Sequence, residues 1–234
     1  IATPRVDQLA REGMRFTSFY AQTVCGPSRA ALMTGSYPLR VAVRENKVEI
    51  HPRLHPKEIT IAEVLKPAGY ATAAFGKWDL AGHSQDQYDP DLLPCHQGFD
   101  YFFGTPTSND RLVNLLRNND VIERNADMST LTRRYTDEAI AFIRTNQNQP
   151  FFVYLAHTMP HVRLAASEPF LGKSKRGLYG DAVEEIDWNT GRLVDTLKSL
   201  GVDDNTYVIF TSDNGPWWIK GKDGGCALPL RGAK

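Results

Sequence analysis

The chain has 234 residues, 41% of them hydrophobic and 23% charged, and its 27 Lys and Arg balance 27 Asp and Glu. This is ordinary globular usage, which excludes a wholly disordered chain, a collagen-like repeat and a disulfide-dense mini-protein. The zero net charge argues against a broad nucleic-acid surface, which needs excess Lys and Arg, and no run of about 18 apolar residues offers a transmembrane segment.

In chain order, Thr3-Pro4 reads as a helix start, Val6, Leu9 and Ala10 share a helical face, and Gly13 ends it. The aromatic-rich run from Met14 to Tyr20 predicts a strand, and Ser28 to Thr34 predicts a short helix stopped by Gly35. Thr60-Ile61-Ala62-Glu63 fits a capping box, opening a helix that stops at Gly69, and Tyr70 to Phe75 reads as a strand. The stretch from Lys77 to Asn109 is rich in Gly, Pro, Asp and His and predicts a long functional loop. Leu131 to Thr145 predicts a helix with Tyr135, Ala139, Phe142 and Ile143 on one side. Phe151 to Leu155 and Tyr207 to Phe210 read as buried-type strands, and between them Ala182 to Leu200 predicts an amphipathic helix capped by Gly201.

Strands alternating with helices imply an α/β layer fold with a largely parallel sheet, in which ligands collect where strands end. Two such ends carry dense polar chemistry: His157 to His161, and Ser212-Asp213-Asn214-Gly215. No internal repeat or low-complexity segment interrupts the chain.

The segment Cys25-Gly26-Pro27-Ser28-Arg29-Ala30-Ala31-Leu32-Met33-Thr34-Gly35 sets a cysteine just before a helix N-terminus. Pro27 suits the first turn, the free backbone N–H groups and the helix dipole favour an anion, and Arg29 adds a planar donor fork. On these grounds Cys25 is either an activated thiol or a buried, inert cysteine beside a structural arginine. With Cys95 and Cys226 it makes three cysteines and no C-x-x-C spacing, against a zinc knuckle or a redox dithiol.

Other positions divide in the same way. Asp213-Asn214 offers hard oxygen ligands for Ca²⁺ or Mg²⁺, or a plain turn. Lys77 is a surface charge or an anion contact. Of the six histidines, His161 is best placed to move a proton, His157 reads as a structural group or one that supports the site from behind, and His51, His55, His83 and His96 read as surface residues. Trp217-Trp218 forms either a sugar or aryl platform or core packing.

The cysteine segment resembles the sulfatase signature, C-x-P-S-R followed by a short linker and L/M-T-G, with every fixed position present. Gly76-Lys77-Trp78, Gln97 to Gly104, Pro106-Thr107-Ser108-Asn109, Pro160-His161, Thr211 to Gly215 and Leu230 to Lys234 resemble further segments of that family in the same order. The resemblance spans Ile1 to Lys234. It implies an alkaline-phosphatase-like α/β fold and an enzyme that hydrolyses a small-molecule or carbohydrate sulfate ester. It also implies that a formylglycine-generating enzyme converts Cys25 to formylglycine, whose hydrate attacks sulfur and then releases sulfate. Arg29 and Lys77 would stabilise the transferring group, and Ser108 would lie near it. His161 or Lys234 would protonate the departing oxygen. Asp213 and Asn214 would hold calcium in preference to magnesium. Family members are often exported or lysosomal.

Two departures from the family pattern stand out. Gly76-Lys77-Trp78-Asp79-Leu80 stands where the family reads G-K-W-H-L, so Asp79 brings negative charge to a substrate-contact position. His83 is too distant in sequence to be taken as a substitute. The family's first strand, with its metal-binding aspartates, is expected before Ile1, and a smaller C-terminal region after Lys234. Residues 1–234 thus read as part of one catalytic domain of a longer protein, poorly folded and inactive alone. Alternative readings are a phosphonate monoester hydrolase or phosphodiesterase of the same superfamily, and a non-catalytic anion-binding relative.

Overall fold

The computed structural model describes residues 1–41 and 54–234, so His51 lies outside the described residues. One sheet holds β1 (Ala71–Lys77), β2 (Tyr101–Thr105), β3 (Leu115–Arg117), β4 (Asp120–Glu123) and β5 (Phe151–Ala156), in the order β4-β3-β2-β1-β5. Strand β1 runs parallel to both β2 and β5, whereas β2–β3 and β3–β4 are antiparallel. The α/β layer fold is as expected, but the sheet is mixed rather than largely parallel. The antiparallel part returns through a two-residue hairpin turn after Arg117, where Asn118 takes a positive φ of 54°. Strands of three and four residues carry too little periodicity to be read from sequence. Strand β2 also lies inside the stretch expected to be one long loop.

The helices are α1 (Pro4–Glu12), α2 (Cys25–Thr34), α3 (Pro38–Val41), α4 (Ile61–Leu65), α5 (Met128–Asn146) and α6 (Gly177–Leu200). Strand side chains alternate between two cores, as a period of two requires. Ala74, Phe102 and Leu116 join Ala30 and Met33 of α2 and Ala62 of α4 on one face. Ala73, Phe75 and Phe103 meet Leu131, Tyr135 and Ala139 of α5 on the other. Fully buried Phe75 and Phe102 contribute about 1.5–3 kcal/mol each.

Helix α5 starts where Asp127 accepts a hydrogen bond from the Ser129 amide at 2.9 Å, and it buries residues at helical spacing from Leu131 to Ile143. Helix α6 packs against α5, and α1 packs on α6. Thr3 makes no side-chain cap. Instead the buried Asp187 carboxylate of α6 accepts from the amides of Arg5 (3.1 Å) and Val6 (2.8 Å), placing an anion at the N-terminus of α1.

Two expected strands do not form. Met14 to Tyr20 lies outside every strand ladder, with Met14 80% and Tyr20 89% exposed. Tyr207 to Phe210 alternates in exposure like an extended strand, Tyr207 and Ile209 at 98% and 85%, but no strand among the described residues pairs with it. Hydrophobicity favours burial, but a strand also needs a partner edge for its backbone groups.

Candidate active site

The parallel registers place the site. Lys77 of β1 lies opposite Thr105 of β2, and Gly76 opposite Ala156 of β5, so all three strands deliver their carboxyl ends to one edge. The approach is very close: a Cβ at Gly104 would lie 1.9 Å from the Gly76 carbonyl oxygen, and one at Gly76 would lie 1.9 Å from that of Ala156. Pairing continues beyond the strands, with the Trp78 amide donating to the Thr105 carbonyl (3.0 Å) and the Asp79 amide to that of Pro106 (3.1 Å). These bonds hold Asp79 at a φ of 60°, a left-handed conformation that Asp tolerates better than most residues.

Helix α2 brings the cysteine. It begins at Cys25 itself rather than at Ser28, so Cys25 sits in the first turn, buried, with Pro27 two residues on. Gly35, in the left-handed region, ends the helix and donates its amide to the Ala31 carbonyl. Arg29, one turn after Cys25, is also buried. Its Nε and Nη2 donate to one oxygen of Asp213 at 3.1 and 2.9 Å, and its Nη1 donates to the Lys77 carbonyl and the Tyr154 hydroxyl. Burial opposes the guanidinium charge, but the Tyr154 oxygen and the carboxylates of Asp213 and Asp79 outweigh it and hold the Arg29 pKa above its ordinary value.

Lys77 is buried, with Nζ 3.3 Å from the Ser108 hydroxyl and 3.3 Å from Asp79 Oδ2. Burial would raise the Asp79 pKa, but Lys77 and then the hydrogen bond to His83 bring it down to about 2. Lys234 donates to Cys25 Sγ at 3.4 Å and stands 2.9 Å from His161 Nε2. Trp217 braces this pair, its ring 4.7 Å below the Lys234 ammonium and 5.8 Å from the His161 ring. Its neighbour Trp218 is exposed.

His161 Nδ1 faces the carbonyl of Val162, which can only accept, so Nδ1 carries the proton. The neutral ring therefore turns the lone pair of Nε2 toward Lys234. Burial, reinforced by Lys77 and Lys234, pushes the His161 pKa down to about 4. Burial pushes the His157 pKa to about 4 too, and its Nδ1 has no hydrogen-bond partner.

Two sets of contacts result: Lys234 joins Cys25 and His161, and Arg29, Lys77, Asp79, Ser108 and Asp213 join one another, with Cys25 and Arg29 one turn apart on α2. His83 is a correction to the sequence reading. It is no plain surface residue but half-buried, with ring nitrogens on Asp79 and Asp110. Sequence reasoning also missed Asp110 and Tyr154, because their partners are brought up by the sheet rather than by any motif.

Asp213 and Asn214 fit a hard cation. The Asn214 Oδ1 is buried without a hydrogen-bond donor, and the Asp213 carboxylate has only Arg29 as its salt-bridge partner among the described residues. Burial would raise the Asp213 pKa, but Arg29 and Lys77 pull it below its ordinary value, so it is anionic and ready to ligate. Two side-chain oxygens are fewer than the six to eight that calcium takes, and no group of three or more His, Cys, Asp or Glu placed to hold a metal ion occurs among the described residues.

Comparison with known proteins decides the family. The Sulfatase family profile matches residues 1–226. The chain belongs to the sulfatase family. It is 39% identical to the N-acetylgalactosamine-6-sulfatase of Rattus norvegicus, covering 97% of this chain and 48% of that protein. Arylsulfatase A of Homo sapiens is 35% identical, covering 99% of this chain and 51% of that protein. This sulfatase-family chain therefore spans about half the length of the curated relatives it matches. Among solved structures, the PsFucS1 sulfatase of Pseudoalteromonas sp. superposes with a TM-score of 0.83 at 30% identity, over 99% of this chain and 53% of that one. The alkaline-phosphatase-like fold follows from such neighbours. No helix among the described residues is long and apolar enough to cross a membrane.

Proposed function

We propose that the protein hydrolyses a sulfate ester, with formylglycine at position 25 and calcium on Asp213 and Asn214. The observation that carries this reading is the Lys234–Cys25 contact of 3.4 Å, made at the helix terminus that also bears Arg29. It sets a cation and a helix N-terminus around one side chain, where charge on a transferring sulfuryl group is best stabilised. The names of the relatives support a sulfated carbohydrate as the substrate.

Formylglycine, once hydrated, would supply one hydroxyl to attack sulfur and a second whose deprotonation expels sulfate. Calcium would supply fixed positive charge toward the sulfate oxygens. The chain's own residues do the rest. Arg29 holds Asp213 in place with two N–H donors. Lys77, steadied by Ser108, presents its ammonium to the anion. Lys234 delivers a proton to the departing oxygen, because neutral His161 has only a lone pair on that side and serves to aim the ammonium. Asp79 is the carboxylate paired with Lys77.

Peptide mass spectrometry across Cys25 in the intact protein tests the reading directly. Conversion exchanges sulfur for oxygen with loss of two hydrogens. Turnover is then compared on the sulfate and phosphate esters of one alcohol. A plain thiol together with full sulfatase activity refutes the mechanism, and preference for the phosphate ester refutes the substrate class.

A further inference from the structure

Asp79 poses an electrostatic problem. Its side chain is only 1% exposed, and its Oδ2 lies 3.3 Å from the Lys77 ammonium. An uncompensated carboxylate there would cancel the charge that Lys77 offers to an anion. The loop after β1 supplies an answer. His83 Nδ1 lies 3.1 Å from Asp79 Oδ1, and His83 Nε2 lies 3.3 Å from Asp110 Oδ2. A ring with a carboxylate at each nitrogen needs a proton on both, so this geometry selects the imidazolium. Asp110 sits at the rim, its side chain 43% exposed and screened by water, whereas Asp79 is sealed.

The loop is built to hold this arrangement. The Asp89 amide donates to the Ala81 carbonyl at 2.8 Å, and Gln85 Nε2 donates to Thr105 Oγ1 and the Ser108 carbonyl, both at 2.9 Å. Gly82 packs so closely that a Cβ would lie 2.8 Å from the Gln87 carbonyl oxygen.

We propose that His83 is a positioning residue of the anion site: clamped between Asp79 and Asp110, it cancels the buried Asp79 charge and keeps Lys77 electropositive toward sulfate. This rests on the reading of the site as one for sulfate esters, and it assigns a role to a residue outside the family-like motif.

The hydrogen bonds to Asp110 and then Asp79 hold the His83 pKa at about 9 against half-burial. Behind Asp79 stand Lys77 and Arg29, and behind Asp110 stand Ser108 and His161. Lys77 and Arg29 are held above their ordinary values and His161 is already neutral, so these three keep their charge states between pH 7 and about 9.5.

The test is calorimetric binding of inorganic sulfate to the intact, calcium-loaded protein, with turnover of an aryl sulfate followed in parallel. At pH 7, His83→Gln should weaken sulfate binding about tenfold, and Asp79→Asn in the same protein should restore it to within about threefold of wild type. In the wild type, affinity should fall as pH rises through about 9, and His83→Gln should lack that fall. Unchanged affinity in a folded His83→Gln protein overturns the inference, as does additivity in the double variant. If the variants do not fold, the wild-type titration decides, and a flat profile to about pH 9.5 overturns it. A wild type that binds no sulfate overturns it as well. The expected binding pattern without any turnover removes the sulfatase reading and leaves the role of His83 standing.

Discussion

The Nε2 of His161 lies 2.9 Å from the Nζ of Lys234, while Nδ1 of the same ring faces the carbonyl of Val162. Two ring nitrogens with opposite duties make this histidine an acceptor toward the substrate side. On the proposed mechanism the pair divides its labour: the lysine would carry the proton, and the histidine would fix where the lysine points.

Replacing Lys234 by Met keeps the length of the side chain and removes the proton. We expect kcat to fall about 10²-fold or more on an alkyl sulfate and much less on a nitrophenyl sulfate, whose phenolate leaves without help. Equal losses on both substrates would remove Lys234 as the acid.

The buried Arg29–Asp213 pair makes a second prediction. Arg29→Gln strands a carboxylate beside the sheet, so the calcium-free protein should lose about 3–5 kcal/mol in a denaturant melt. Calcium should recover part of this, because a cation on Asp213 replaces the lost guanidinium. Stabilisation by calcium no greater than in the wild type would count against Asp213 as a ligand.

Stability should peak near pH 6.5. The pKa values of His157 and His161 are lowered from 6.5 to about 4, so the unfolded chain binds protons first and stability falls as pH drops from 6.5 toward 4. For half-buried His157 the loss is about 3 kcal/mol. His83 has the opposite sign: its pKa is raised to about 9, so its contribution is complete below 6.5 and disappears as pH rises through 9. Tm measured against pH checks both limbs, and His83→Gln should flatten only the alkaline one.

Gly104→Ala should be severe. The added Cβ would meet the Gly76 carbonyl at 1.9 Å, and backbone on the central strand cannot move aside cheaply. The expected loss is about 3 kcal/mol or more, above the usual range for overpacking, read from a melt or from failure to accumulate folded protein. A variant within 1 kcal/mol of wild type, roughly the scale of one methylene, would show that the two strands are not held this closely.

The sequence alone determined what is written in contiguous residues. The signature from Cys25 to Gly35, the capping box at Thr60, the helix faces of α5 and α6 and the apolar run of β5 are local patterns, because helix caps and side-chain periodicity act over a few residues. Tertiary structure decided everything that depends on a partner far along the chain. Tyr207 to Phe210 is as apolar as a buried strand, but only a neighbouring edge makes a strand. The hairpin of β3 and β4 is too short to announce itself. Cys25 and Lys234 meet across 209 residues, and the Asp79 departure acquires His83 and Asp110 as partners only after β1 and β2 align at their carboxyl ends. Coulomb and hydrogen-bond energies depend on distance in space, and the sheet register sets that distance.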